Sequence, residues 1–199
     1  MGGVAKAADA SAAEPCAAQR VFVASRAAAV QLYGDDGLRA IGEHLPADVR
    51  ATLVDSALIT DAWLPERFVM AWQEAVFAGP VRGSDDELRR YIRKVVDNGF
   101  GRVRRLLVQL VTPATLCTRA AELWHDEHTH GEISAEPTGQ VVVIKLRHHP
   151  YVARPIARLV MAESLRYAAS LTRVKRVDQL HKLDGDPRSP PHLVLISSS

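Results

Sequence analysis

The segment Trp124-His125-Asp126-Glu127-His128-Thr129-His130 packs three imidazoles and two carboxylates into six consecutive positions. These are side chains that ligate zinc, nickel or copper. The segment does not spell the hydrolase motif HExxH, because Asp126 rather than a glutamate follows the first histidine. His125 and His128 share a face if the helix before them continues that far, but Gly131 is close enough to fray it. The plainer reading is a helix C-terminus decorated with histidines, where positive charge is favoured. Metal sites usually gather ligands from several elements. A metal-dependent enzyme centred on His125, His128 and His130 is therefore an outside reading, and no metal is expected.

Other polar clusters have equally plain explanations. His148-His149-Pro150-Tyr151 falls where a strand turns into a helix, a place where pockets form but where a polar turn suffices. His181 and His192 belong to two closing strands and can face each other as a solvated cross-strand pair. Arg89, Arg90, Arg93, Lys94, Arg102, Arg104 and Arg105 alternate with an apolar stripe, which makes them the wet face of a helix. Tyr91 is on the opposite stripe, so the aromatic interleaving that single-stranded nucleic acid requires is missing. No GxSxG, P-loop, GxGxxG or CxxC motif is present. Cys117 has the periodicity of an inert core thiol.

The aromatics are the remaining lead. Trp63, Phe68, Trp72, Tyr91, Phe100 and Trp124 concentrate in the helical half. They can fill a core, or line a cavity between helices and a sheet. Taken as a pocket, the lining comprises Trp72, Tyr91, Gly99, Phe100, Val103, Leu107, Trp124, Ile144 and Tyr151.

The elements that must position these residues follow from apolar period and punctuation. Residues 1–19 are Ala-rich without apolar period and read as a flexible tail, leaving 20–199 as one domain. Gly34 ends a first helix and Asp35 or Asp36 caps the next, with Leu38, Ile41 and Leu45 on one face. Pro46 opens a short helix. Phe68, Val69, Trp72 and Val76 follow Trp63-Leu64-Pro65 at helical spacing, and Gly79-Pro80 stops them. Ser84 caps the strongest helix, expected over 85–111, with Asp85, Asp86 and Glu87 in its first turn. Thr112-Pro113 starts another, ending near Trp124. Thr138-Gly139 joins a strand near Ile133 to Val141–Leu146, which alternates Val142, Ile144 and Leu146 onto one face. A buried helix follows Pro150, and strands at 173–183 and 192–197 close the chain around Asp184-Gly185-Asp186-Pro187. Segregated helices and strands make the fold class α+β: a helical N-terminal half packed on a small C-terminal antiparallel sheet, with one long helix inserted.

Composition narrows the class without naming a function. Apolar residues are 47% and charged residues 24% of 199, the balance of a globular domain. No apolar run reaches the roughly 20 residues that span a bilayer, and no signal peptide is visible. Two cysteines, Cys16 and Cys117, fit a reducing cytoplasm. The net charge of +2 does not point to nucleic acid.

In order along the chain stand Val21-Phe22-Val23, Tyr33-Gly34-Asp35-Asp36-Gly37-Leu38, Leu45-Pro46, Trp63-Leu64-Pro65, Gly101-Arg102-Val103-Arg104-Arg105-Leu106-Leu107, Thr112-Pro113, Leu123-Trp124 and Gly185-Asp186. Their order and spacing resemble an uncharacterised family of roughly 200-residue proteins abundant in myxobacteria. The C-terminal half is similar to the 4-vinyl reductase domains and, more distantly, to haem–nitric-oxide sensor domains. The resemblance implies helices over an antiparallel sheet with an internal pocket for small hydrophobic ligands. It also marks two departures. The family's cysteines near the Gly-Asp turn are absent from Leu180-His181-Lys182 and Ser189-Pro190-Pro191-His192. The haem sensors' Tyr-x-Ser-x-Arg is not reproduced, since Tyr167-Ala168-Ala169-Ser170 carries one residue too many.

The expectation is thus a non-enzymatic regulatory module that binds a small hydrophobic molecule between helices and sheet, with no haem and no other cofactor. The alternative is a protein-interaction or scaffold module acting as a homo-oligomer.

Overall fold

A computed structural model describes residues 14–59, 61–108, 124–138, 141–171, 176–182 and 192–198, together with Thr115, Arg119 and Glu122. The side chains of residues 100–108 and of most of the strands fall outside that description. The fold is α+β.

A short ribbon opens the chain: β1 (Cys16–Ala18) pairs antiparallel with β2 (Trp63–Pro65), Cys16 opposite Pro65. Part of the expected tail is therefore built into the fold, because Ala17 and Ala18 are small enough to bury completely under the helices. Between the two strands run α1 (Gln19–Glu43) and α2 (Ala47–Leu53). Gly34 interrupts α1 at φ +66°, a left-handed conformation that glycine adopts without Cβ strain. Two helical stretches are joined there at a kink, which is how the sequence reads.

Helix α3 (Glu66–Ala78) follows β2 without a linker, and α4 (Asp85–Val108) follows the turn at Gly83. Ser84 caps α4, its Oγ accepting the Glu87 N–H at 3.3 Å. Residues 109–111, the expected last turn, lie outside the described residues. Phe22, Ile41, Leu53, Trp72, Val76, Leu88 and Ile92 form one buried cluster between α1, α2, α3 and α4.

The second half is a four-stranded antiparallel sheet of order β3-β4-β6-β5. Its strands are β3 (Glu132–Thr138), β4 (Val141–Arg147), β5 (Arg176–Lys182) and β6 (His192–Ser198). Ile133 faces Leu146 across the β3–β4 hairpin, in the register that period-two alternation demands. Helix α5 (Pro155–Ser170) crosses from β4 to β5 and packs on α4. A second core cluster, Ile133, Ile144 and Leu146 with Trp124, Met161 and Leu165, lies between sheet and α5.

Glu163 on α5 is completely buried and takes Arg93 Nε at 2.7 Å, Arg89 Nη1 at 3.2 Å and Arg166 Nη2 at 2.5 Å. Arg89 and Arg93, read from the sequence as a solvated face, are thus partners that tie α4 to α5. Among the described residues, no helix is long and apolar enough to cross a membrane.

Candidate functional site

The described residues gather their unusual polar chemistry around one carboxylate. Glu66, the first residue of α3, is buried, with its side chain 4% exposed. His128 Nδ1 lies 3.3 Å from Glu66 Oε2, and His130 Nε2 lies 3.8 Å from the same oxygen. His149 Nε2 approaches the other oxygen, Oε1, at 3.4 Å. Glu66, His128 and His130 each offer one ligating atom within 4.8 Å of the others.

Backbone pairing explains why these distant residues meet. β1 is the shared template. On one side it holds β2, and the Glu66 N–H donates to Pro15 O at 2.7 Å. On the other, Ala17 bridges His128, Thr129 N–H donates to Cys16 O at 2.9 Å, and Cys16 N–H donates to Thr129 Oγ1 at 2.9 Å. Residues 128–130 therefore form a strap tied to β1, beginning where the last helical turn closes with the His128 N–H donating to Trp124 O at 2.8 Å. The helix stops at residue 127; His125 stays exposed, whereas His128 turns inward to Glu66.

Aromatic packing fixes the rings. Trp124 stacks on His128 with centroids 3.9 Å apart and planes 13° from parallel, and its Nε1–H donates to His130 O at 2.7 Å. Gly131 sits at φ +74°, where a Cβ would press to 3.3 Å against the Trp124 ring. A side chain there would displace the wall of the site. His149 is oriented by Tyr151, whose backbone N–H donates to Nδ1 at 3.2 Å. A neutral His149 then carries its proton on Nε2, toward Glu66.

Electrostatics keep the Glu66 carboxyl ionised. Burial raises the Glu66 carboxyl, but hydrogen bonds and charge from His128 and His149 outweigh it and bring the pKa down to about 2. Burial drives His130 down to about 4 against the pull of Glu66. At neutral pH Glu66 is thus an anion and His130 a neutral imidazole. Both ring nitrogens of His130 are buried and lack a well-aligned hydrogen bond, with only a weak contact to the Cys16 backbone. His149 Nε2 approaches Glu66 Oε1 at 3.4 Å as a long, weak hydrogen bond.

The nine residues read as one pocket lining divide. Trp72 and Tyr91 are joined inside the helical core: Trp72 Nε1–H donates to Tyr91 Oη at 2.8 Å, which donates to Ser25 O at 3.0 Å. They fill space there. Gly99 is exposed and faces open space. The side chains of Phe100, Val103 and Leu107 lie outside the described residues. Ile144 and Trp124 belong to the sheet cluster, and Tyr151 stands beside His149. Of the three outside-reading histidines, the structure brings His128 and His130 together and leaves His125 apart. Sequence reasoning missed Glu66, and it weighed His149 as part of a junction where pockets form but where a polar turn suffices. The signal for His149 was a histidine at a strand-to-helix corner; for Glu66 there was none beyond an acidic first turn.

No family model matches the sequence, and no curated protein matches it. Solved structures do. An H-NOX protein from S. oneidensis in its Fe(II)NO state superposes with a TM-score of 0.64 at 11% identity, covering 90% of this chain and 98% of that one. An oxygen-binding H-NOX domain related to soluble guanylate cyclases, in its oxygen complex, gives 0.60 at 11% identity over 91% and 95%. Unliganded Fe(II) H-NOX protein from K. algicida gives 0.61 at 8% identity over 92% and 97%. This likeness overturns two expectations: that haem and other cofactors play no part, and that the fold serves an apolar molecule bound without haem.

Whether the site at Glu66 itself suits haem is a question of room. The cleft lined by Glu66, Val69, Met70, Gln73, His149 and Tyr151 holds about 10 Å³, the size of a single water. Organic cofactors occupy roughly 300–1,000 Å³. That cleft has room for a water-sized species and none for a porphyrin. By structure, the chain has the fold of the H-NOX sensor domains.

Proposed function

We propose that this chain is a non-enzymatic sensor domain, one that takes a diatomic gas at a metal-bearing centre inside the fold and passes the event to a partner protein. The observation that carries the reading is the likeness over about nine-tenths of the chain to domains solved with oxygen and with NO on iron. The finer assignment to the family of roughly 200-residue myxobacterial proteins belongs to the same reading, and rests on the ordered motifs from Val21 to Asp186.

The fold suits transmission. α3 begins at the buried centre and ends against α1, so a ligand that shifts Glu66 acts directly on a helix of the main core. The test loads the purified chain anaerobically, once with haem and once with Fe(II), and then adds NO. The expected result is a saturable NO-dependent change in absorbance in one loaded form, with altered hydrogen exchange along α3. A chain that takes up neither group, or takes one up and ignores NO, contradicts the reading.

A further inference from the structure

We infer that Glu66, His128 and His130 form a binding site for one divalent first-row transition ion, with His149 holding the carboxylate from behind. The inference stands whether or not the chain is a sensor, because it rests on the donor set and its geometry.

Two imidazoles and one carboxylate are the donors that zinc and ferrous iron share in sites with an open position. They come from three places in the chain: the start of α3, and two positions of the strap on β1. Zinc bonds of 2.0–2.2 Å at tetrahedral angles place neighbouring donors about 3.4 Å apart. The distances of 3.3 and 3.8 Å from Glu66 Oε2 bracket that spacing.

The second observation is the state of the nitrogens. His130 has a side chain only 10% exposed, and neither ring nitrogen makes a well-aligned hydrogen bond, the Cys16 backbone offering one weak contact. Buried polar atoms are rarely left so, and an ion that accepts the Nε2 lone pair satisfies one of them. His149 has a different role. Its Nδ1 is engaged by the Tyr151 N–H, so its Nε2 bears a proton and cannot ligate in that tautomer. It faces Glu66 Oε1, the oxygen left over when Oε2 binds an ion, and orients the ligand. Trp124 stacked on His128 and the nearby apolar wall leave the remaining coordination positions to water or a small ligand.

The full chain, stripped with a chelator, is titrated with Co(II) and with Zn(II), reading visible absorbance for cobalt and heat for zinc. One ion per chain is expected, with ligand-field bands of a four- or five-coordinate cobalt centre. His130→Asn loses at least 100-fold in affinity, His149→Ala weakens binding by roughly 10–100-fold as orienting residues do, and the exposed His125→Ala changes nothing. Circular dichroism of each variant shows whether it folds. Should His130→Asn fail to fold, wild-type stoichiometry and histidine NMR shifts on Zn(II) addition decide instead, with His128 and His130 moving and His125 still. No uptake by the folded wild-type chain, octahedral surface-type cobalt spectra, or loss of binding in His125→Ala would overturn the inference.

Discussion

His128 Nδ1 meets Glu66 Oε2 at 3.3 Å across 62 residues of chain, and the contact is enforced by backbone pairing on both sides of β1. Pairing to β1 sets where each residue enters the site. Thr129, between the two histidines, therefore controls the site without offering it a donor. Replacing Thr129 with valine removes the acceptor of the Cys16 N–H, at a cost of about 1 kcal/mol for an exposed hydrogen bond. Cobalt affinity should fall with it although no donor has changed. Urea unfolding and cobalt titration together check this, and unchanged affinity would show that the strap does not position the histidines.

Gly131 is the tightest point of the wall. Alanine there must adopt φ +74° and crowd Trp124 at 3.3 Å. The backbone term alone is about 1–2 kcal/mol. The Trp124–His128 stack should open, which tryptophan fluorescence reports as a change in emission and in its quenching by histidine. An unmoved spectrum with full stability would show that the wall is not packed as described.

Tyr91→Phe isolates the hydrogen bond that closes the helical core. It leaves the buried Trp72 N–H without its acceptor and Ser25 O without its donor. A loss of about 1–3 kcal/mol is expected by chemical denaturation, with no change at the histidine centre. A larger effect on metal binding than on stability would link two regions that the structure keeps apart.

Glu163 supplies the pH dependence. Burial raises its carboxyl, but hydrogen bonds from Arg166 and Arg93 prevail and hold it below the ordinary 4.5. A lowered carboxylate contributes stability above the unfolded value. That contribution disappears as pH falls from about 4.5 through the folded value. Glu163→Gln should cost about 1–3 kcal/mol at pH 7, moderated because the arginines are partly solvated. It should also flatten this limb of the stability curve, and an acid limb as steep as wild type would contradict the assignment.

The sequence showed the frame more readily than the site. Alternation at Val142, Ile144 and Leu146 predicts a strand with one buried face, and Ser84 with Asp85, Asp86 and Glu87 announces α4; both signals are local. The histidine centre is non-local. Nothing near Glu66 distinguishes a ligand from an acidic first turn, and the strap at 128–130 is tied to β1, a segment more than a hundred residues away in sequence. Alanines 17 and 18 read as tail because small residues carry no apolar period, yet their smallness lets β1 lie flat beneath the helices. The aromatics pose the converse problem: Trp72 and Tyr91 have the period of a lining and of a filling alike, and their mutual hydrogen bond is invisible in one dimension.

Anomalous diffraction from crystals grown with Co(II), recorded at the cobalt edge, tests the central claim most directly. The account predicts one strong peak about 2.0–2.2 Å from Glu66, His128 and His130, at the range of first-row metal bonds, with His149 turned to the free carboxylate oxygen. A peak elsewhere on the chain, or an empty centre whose histidines bond only to Glu66 and water, would contradict it.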